Sequence, residues 1–329
     1  MYMDYEIKDC IDAGTEYCPC HLAETGDCIL CSQLSGKKLC ECTNWKGVCI
    51  YQEYIWNRKK AKEGRKNYIC TILNKEKIGE ELLIFTILVP HKLAQDLVYP
   101  GSFIFLRNPK TKQFYDTPIS VMESDTRENT LKVAIEIKGI KTKSIDSVDV
   151  DDKILIRGPF WNGVLGLKNI NKSKDGTSVL ICRGIGQAPI VPVMKKLYSN
   201  GNKIIAIIDK ANFNNVFIKN YLDMCNATLI ECSVFSKGDL TEEFKKSLFN
   251  IIKDENVNLI HCAAQDIIIY KALNLIEDSI NFSCSNNAKM CCGEGVCGTC
   301  TVRYKGQVVK RLCKLQVDPK YIFKDRRLM

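Results

Sequence analysis

The stretch 291-CCGEGVCGTC-300, with one more cysteine at Cys313, constrains this chain more than any other feature. Cys292, four residues, Cys297, two residues, Cys300 and then twelve residues to Cys313 give the C-x4-C-x2-C…C spacing of plant-type [2Fe–2S] sites. Two irons need four thiolates that meet in one small volume, three of them from a single tight loop. Such a loop has no room for side chains and needs unusual backbone angles, which Gly293, Gly295 and Gly298 permit. The segment 301-TVRYKGQVVKRL-312 reads as a hairpin that turns at Lys305-Gly306 and returns Cys313 to the loop. Cys291 reads as a neighbour, not a ligand. A zinc site would favour two short cysteine pairs, unlike this grouping.

The chain has 19 cysteines. Its start has no basic residues followed by an apolar core, so it does not read as a secretory signal, and a reducing cytoplasmic setting is expected. The cysteines then read as metal ligands and buried thiols. Eight fall within residues 10–49: Cys10, Cys18, Cys20, Cys28, Cys31, Cys40, Cys42 and Cys49. So many thiols with little apolar core among them need a metal to fold. Zinc tetrathiolates and a second iron–sulfur centre both suit the spacing. Trp45 and Trp56 are expected to cap this small core. The scattered cysteines, such as Cys70 and Cys232, read as small core hydrophobes.

Between residues 68 and 160, the runs YICTILNK, ELLIFTILV, SFIFLRN, LKVAIEIKG and DKILIRG read as strands separated by turns at Tyr99-Pro100-Gly101, Asp125–Asn129 and Asp149–Lys153. From 176 to 280, strand and helix patterns alternate, which implies a parallel sheet with helices on both faces. The expected architecture is multidomain: an antiparallel β-barrel, an α/β parallel-sheet nucleotide-binding-like domain, and small cysteine-rich metal-binding segments at both ends. The boundaries expected are a head at 1–56, a basic linker at 57–67, a barrel at 68–165, the α/β domain at 176–283 and a cluster-binding tail at 284–329. The basic run 57-NRKKAKEGRKN-67 reads as a solvated linker, and no nucleic-acid motif accompanies it. No apolar window is long enough to insert in a membrane.

This order of segments resembles the ferredoxin-NADP reductase superfamily. Within it, the chain is similar to the electron-transfer subunit of class 1B dihydroorotate dehydrogenase and to the small subunit of NADH-dependent ferredoxin:NADP oxidoreductase. The resemblance covers roughly residues 66–325 and does not include the head. It implies FAD on the barrel, held by Pro118, Ile119 and Ser120 of 115-YDTPIS-120 and by Gly139, Thr142 and Lys143 of 139-GIKTKS-144. Asp116 and Thr117 stand where the family carries a basic residue, and a carboxylate there repels a pyrophosphate unless it points away. The resemblance also implies NAD(P)H on the turn 182-CRGIGQAPI-190, through Gly184, Gly186, Ala188 and Pro189. Two departures bear on that site: Cys182 and Arg183 replace glycines, and 262-CAA-264 replaces the family's Cys-Gly-Pro. Asp209 follows the second strand, where an acid can bind a ribose hydroxyl.

No Ser/His/Asp triad is present, and His91 and His261 stand isolated as structural histidines. The expected role is an iron–sulfur flavoprotein subunit that relays electrons between NAD(P)H and a catalytic oxidoreductase partner. Two alternatives stay open: a redox adaptor with a degenerate nicotinamide site, and a zinc-bound structural protein on the same scaffold.

Overall fold

The apolar runs between residues 67 and 160 become the strands Asn67–Ile78, Leu82–Leu88, Phe103–Arg107, Thr130–Glu136 and Lys153–Phe160. A sixth strand, Thr117–Asp125, is hidden from a hydrophobicity reading by Pro118 and its polar neighbours. Together they close an antiparallel barrel in the order 67–78, 82–88, 130–136, 117–125, 103–107, 153–160. The computed structural model describes residues 8–42, 44–304 and 308–323. The period of two is visible on Leu82–Leu88. Leu83, Phe85 and Ile87 fill the barrel, while Leu82 and Ile84 join the core of the α/β layer.

That layer is a six-stranded sheet ordered Thr228–Glu231, Lys203–Asp209, Thr177–Arg183, Val257–Ala263, Asn281–Ser285 and Val164–Leu165. All pairs are parallel except the last, which is antiparallel. The three longest helices are Gln187–Ser199, Glu242–Asp254 and Asp266–Leu273. Thr241 caps the second of these, its hydroxyl accepting from the Phe244 amide at 3.2 Å, while the Asp239 carboxylate accepts from Lys271 at 2.8 Å. The apolar pattern at 215–225 suggests a longer helix than the observed Lys219–Met224. The Phe217 amide donates instead to the Gln187 side chain at 3.1 Å.

His261 lies fully buried in the sheet, with Nδ1 2.9 Å from Ser283 Oγ. Burial pushes its pKa down to about 3. The unfolded chain therefore binds a proton that the folded chain does not, between about pH 6.5 and 3. Stability from this group is complete above the unfolded pKa and is lost as pH falls toward the folded one. Acidification from pH 7 to 5 is expected to cost about 2 kcal/mol through His261. Chemical denaturation of His261→Gln across that range should show this increment gone, and an unchanged pH slope would refute the account.

The chain divides into two compact units, Met1–Lys66 with Ala288–Val317, and Asn67–Asn287 with Asp318–Met329. Head and cluster segment thus share one unit. Strand Asp9–Cys10 pairs with Leu315–Gln316, and Thr301–Tyr304 pairs with Val308–Arg311 as a hairpin. The expected turn at Lys305-Gly306 lies outside the described residues. The head's short helices are His21–Glu24 and Ile50–Trp56. Two expectations are corrected here. Trp45 and Trp56 are 60% and 71% exposed, so they do not cap a core. The basic run is not all solvated, because the Arg65 side chain is 1% exposed. Among the described residues, no helix is long and apolar enough to cross a membrane.

Candidate functional site

The cysteine loop near the C-terminus has the geometry its glycines allow. Gly293, Gly295 and Gly298 have φ of 71°, 82° and 74°, the left-handed region. The loop turns its amides toward sulfur: Cys292 Sγ accepts from Glu294 N at 3.3 Å and from Cys297 N at 3.4 Å, and Cys297 Sγ accepts from Thr299 Oγ1 at 3.2 Å. The Leu312 amide donates to the Cys300 carbonyl at 3.0 Å, which sets Cys313 beside Cys300. Both of those thiols are buried and hydrogen-bond each other. Cys292 in turn lies within the electrostatic reach of Cys313. The four sulfurs therefore sort as two pairs, Cys292 with Cys297 and Cys300 with Cys313.

The electrostatics favour a thiolate at Cys300 and at Cys297. The Cys313 thiol holds Cys300 down to about 6, helped by the Arg311 cation, while Cys313 itself is pushed up. Burial raises Cys297, but hydrogen bonds from Thr299 and Cys292 outweigh it and bring the pKa to about 7. Among the described residues, no three His, Cys, Asp or Glu side chains converge on one ion position. A two-iron cluster asks for two thiolates at each iron with sulfide between them, and the two-plus-two pairing fits that demand. Cys291 is exposed.

A charged network underlies this loop. Arg65 donates to Asp12 through NH1 at 2.9 Å and NH2 at 2.6 Å, and to Glu294 Oε2 at 2.7 Å. Lys314, wholly buried, donates to Asp12 and to Glu294 at 3.2 Å. Two cations and two anions cancel. Nothing in the spacing of these residues announces the network, although a lysine directly after Cys313 and an arginine ending the basic run are its traces in the sequence.

On the barrel, Pro118-Ile119-Ser120 lies opposite Phe105-Ile104-Phe103 in register. Ile119 is buried, Ser120 half-buried and Pro118 exposed. The Thr142 hydroxyl accepts from the Lys138 and Gly139 amides at 2.9 and 3.2 Å, which fixes the turn, and Lys143 is exposed beside it. Asp116 does not stand as a bare charge. Arg107 Nε and Arg157 Nε hold its carboxylate at 2.9 and 3.2 Å. Lys141 Nζ donates to the Asp116 carbonyl at 3.2 Å. The local balance is positive, as an anion requires. The two arginines were legible only as lone charges ending the apolar runs FIFLR and ILIR.

In the α/β layer, Gly184 has φ of 56° and Gly186 lies against the end of the neighbouring strand. A Cβ on Gly186 would sit 2.0 Å from the Ala263 carbonyl oxygen. Ala188 is buried and Pro189 half-buried behind them. Arg183 Nε donates to Asp209 at 3.1 Å, and its NH1 is 3.4 Å from the Gln265 side-chain oxygen. Asp209 also accepts from the Ala211 amide at 2.8 Å and the Val234 amide at 2.9 Å, so both its oxygens are engaged within the protein. Ala263 and Ala264 are both buried. Gly186→Ala forces backbone apart from backbone and is expected to destabilise the larger unit by about 2–4 kcal/mol. A denaturation midpoint within error of wild type would contradict the packing.

The barrel and the parallel sheet make the fold seen in solved ferredoxin-NADP reductases. The NADH-dependent reduced ferredoxin-NADP oxidoreductase structure matches with a TM-score of 0.60 at 20% identity, over 79% of this chain and 94% of the other. Ferredoxin-NADP+ reductase from Plasmodium falciparum with 2'P-AMP matches at 0.50 and 15% identity, over 65% of this chain and 93% of that one. In sequence, the chain resembles the electron transfer subunit of dihydroorotate dehydrogenase B (NAD(+)). The Clostridium acetobutylicum protein is 28% identical over 218 residues, 66% of this chain and 82% of its own length. That of Fusobacterium nucleatum is 26% identical over 246 residues, 72% of this chain and 89% of its own length. No protein-family model matches the chain.

Proposed function

We propose that this protein is an electron-transfer flavoprotein that relays electrons between NAD(P)H and a partner oxidoreductase. FAD would lie against Pro118-Ile119-Ser120 and the Thr142 turn, NAD(P)H against the Gly184–Gly186 turn, and a [2Fe–2S] cluster on Cys292, Cys297, Cys300 and Cys313. The observation that carries the reading is the two-plus-two pairing of those thiols in a chain with a reductase-type barrel and sheet. A flavin takes two electrons together and releases them singly, while a [2Fe–2S] centre carries one. The residues contribute the rest. Arg107 and Arg157 neutralise Asp116 and leave positive charge for a pyrophosphate. The loop amides and Thr299 donate to sulfur and so tune a potential. The similarity to proteins named as electron transfer subunits supports a catalytic partner.

Anaerobic purification with iron, sulfide and flavin analysis tests the proposal, followed by titration with NADH and NADPH. Flavin absorption bleached by one nucleotide, with a reduced-cluster EPR signal, is expected. A colourless protein would refute the flavin and cluster and favour a zinc-bound scaffold. Flavin and cluster without response to either nucleotide would favour the second reading, an adaptor between protein partners. The Arg183–Asp209–Gln265 contacts across the nucleotide turn motivate that second reading.

A further inference from the structure

The head offers almost no apolar core. Ala23, Leu34 and Ile50 are its clustered buried residues, and Cys18, Cys28 and Cys31 pack against them. A core this small does not hold a chain folded. What the head does have is backbone directed at sulfur. The Cys31 amide donates to Cys28 Sγ at 3.4 Å, and the Leu30 amide faces the same sulfur. The amides of Asp12, Gly14 and Leu22 face Cys10, Cys18 and Cys20 in the same way. N–H groups converging on sulfur are the outer layer that a metal-bound thiolate needs.

The eight thiols also sort spatially. Cys20 is an electrostatic neighbour of Cys10, Cys18 and Cys28, and Cys18 of Cys28. The other four, Cys31, Cys40, Cys42 and Cys49, line a single cavity of about 40 Å³. Ser32 closes the loop over that cavity, donating to the Leu39 carbonyl at 3.1 Å and accepting from the Glu41 amide at 2.8 Å. A water needs about 10–15 Å³ by the same kind of measure, so the space suits one ion and not a cube of irons and sulfides.

We infer that the head holds two mononuclear tetrathiolate centres, one on Cys10, Cys18, Cys20 and Cys28 and one on Cys31, Cys40, Cys42 and Cys49, each for one soft tetrahedral ion, zinc or iron. Cys28-x-x-Cys31 is the knuckle between them, giving one sulfur to each. Since no three side chains converge on one ion position among the described residues, metal binding must draw each set inward. The first centre also braces the cluster loop. Cys10 pairs with Leu315, and the Ile11 amide donates to the Lys314 carbonyl at 2.9 Å, directly after Cys313.

The test is metal and sulfide analysis of the full chain purified without oxygen. With the C-terminal cluster loaded, about two sulfides and about four metal ions per chain are expected, two ions more than the sulfide accounts for. Cys20→Ser and Cys42→Ser should each lose one ion and together lose both, with sulfide unchanged in Cys42→Ser, whose centre does not brace the cluster loop. Should either variant fail to fold, stepwise blocking of wild-type thiols with a mercurial reads the same stoichiometry, with about one ion released per four thiols. Zinc released without colour, or a thiolate-to-iron band in the oxidised protein, distinguishes the two ions. Sulfide in excess of the C-terminal cluster, no additional ions, or a single ion lost from both variants would overturn the assignment. The proposal does not depend on flavin or nucleotide binding. A protein that lacks flavin but carries the two additional ions would refute the electron-relay reading and leave this one standing.

Discussion

Cys300→Ser is expected to remove the iron–sulfur absorption and EPR signal while flavin content stays at the wild-type level. Cys300 is one of the two buried thiols of the proposed cluster site, it pairs with Cys313, and that partner brings its pKa down to about 6. A serine hydroxyl, with a far higher pKa than a thiol, is a much poorer terminal ligand for iron than the thiolate it replaces. Outer-layer partners alone are worth 10–100-fold in metal affinity, so loss of a ligand should exceed about 100-fold. Delivery of electrons to a one-electron acceptor should fall in step, while bleaching of the flavin by nucleotide persists. Thr299→Val is the matched control. It removes only the 3.2 Å bond to Cys297 Sγ and should keep the cluster with an altered potential. Wild-type iron and sulfide in Cys300→Ser would end the four-ligand assignment.

The second large effect belongs to Asp12. Its carboxylate answers Arg65 and Lys314 at once, in a site where both cations are buried. Asp12→Ala leaves one guanidinium and one ammonium facing Glu294 alone. Breaking a buried pair in this way costs about 3–5 kcal/mol, because the orphaned charge has neither water nor partner. Limited proteolysis should find the smaller unit opened, and added salt should change little, since buried charges are weakly screened. Asp12→Ala with Lys314→Met restores the balance between Arg65 and Glu294 and should recover part of the loss. Additive effects in that cycle would show that the network is not coupled.

The sequence was most informative where a local rule operates. Cys292, Cys297 and Cys300 lie within one loop, so their spacing and glycines carry that loop's backbone geometry directly. The strands of the barrel show because alternation along one segment records which face is buried. The strand at 117–125 escaped because its ladder partners, not its own pattern, make it a strand. Asp116 stands out in the sequence as a bare acid, yet its neutralisation depends on Arg107 and Arg157, which come from two other strands. The sequence places Asp209 where an acid can meet a ribose hydroxyl, and only the fold shows the Arg183 side chain and two amides on its carboxylate.

By itself the sequence determined the spacing of the cysteines, the barrel, the alternating α/β order and the glycine turns, since each is written in residues close along the chain. Only the tertiary structure decided that head and tail share a unit, and that Asp12, Arg65, Glu294 and Lys314 meet. It alone brings Cys31, Cys40, Cys42 and Cys49 to the lining of one cavity. Those facts join residues up to some three hundred positions apart, and a buried charge or sulfur shows its partners only when folding excludes water from around both.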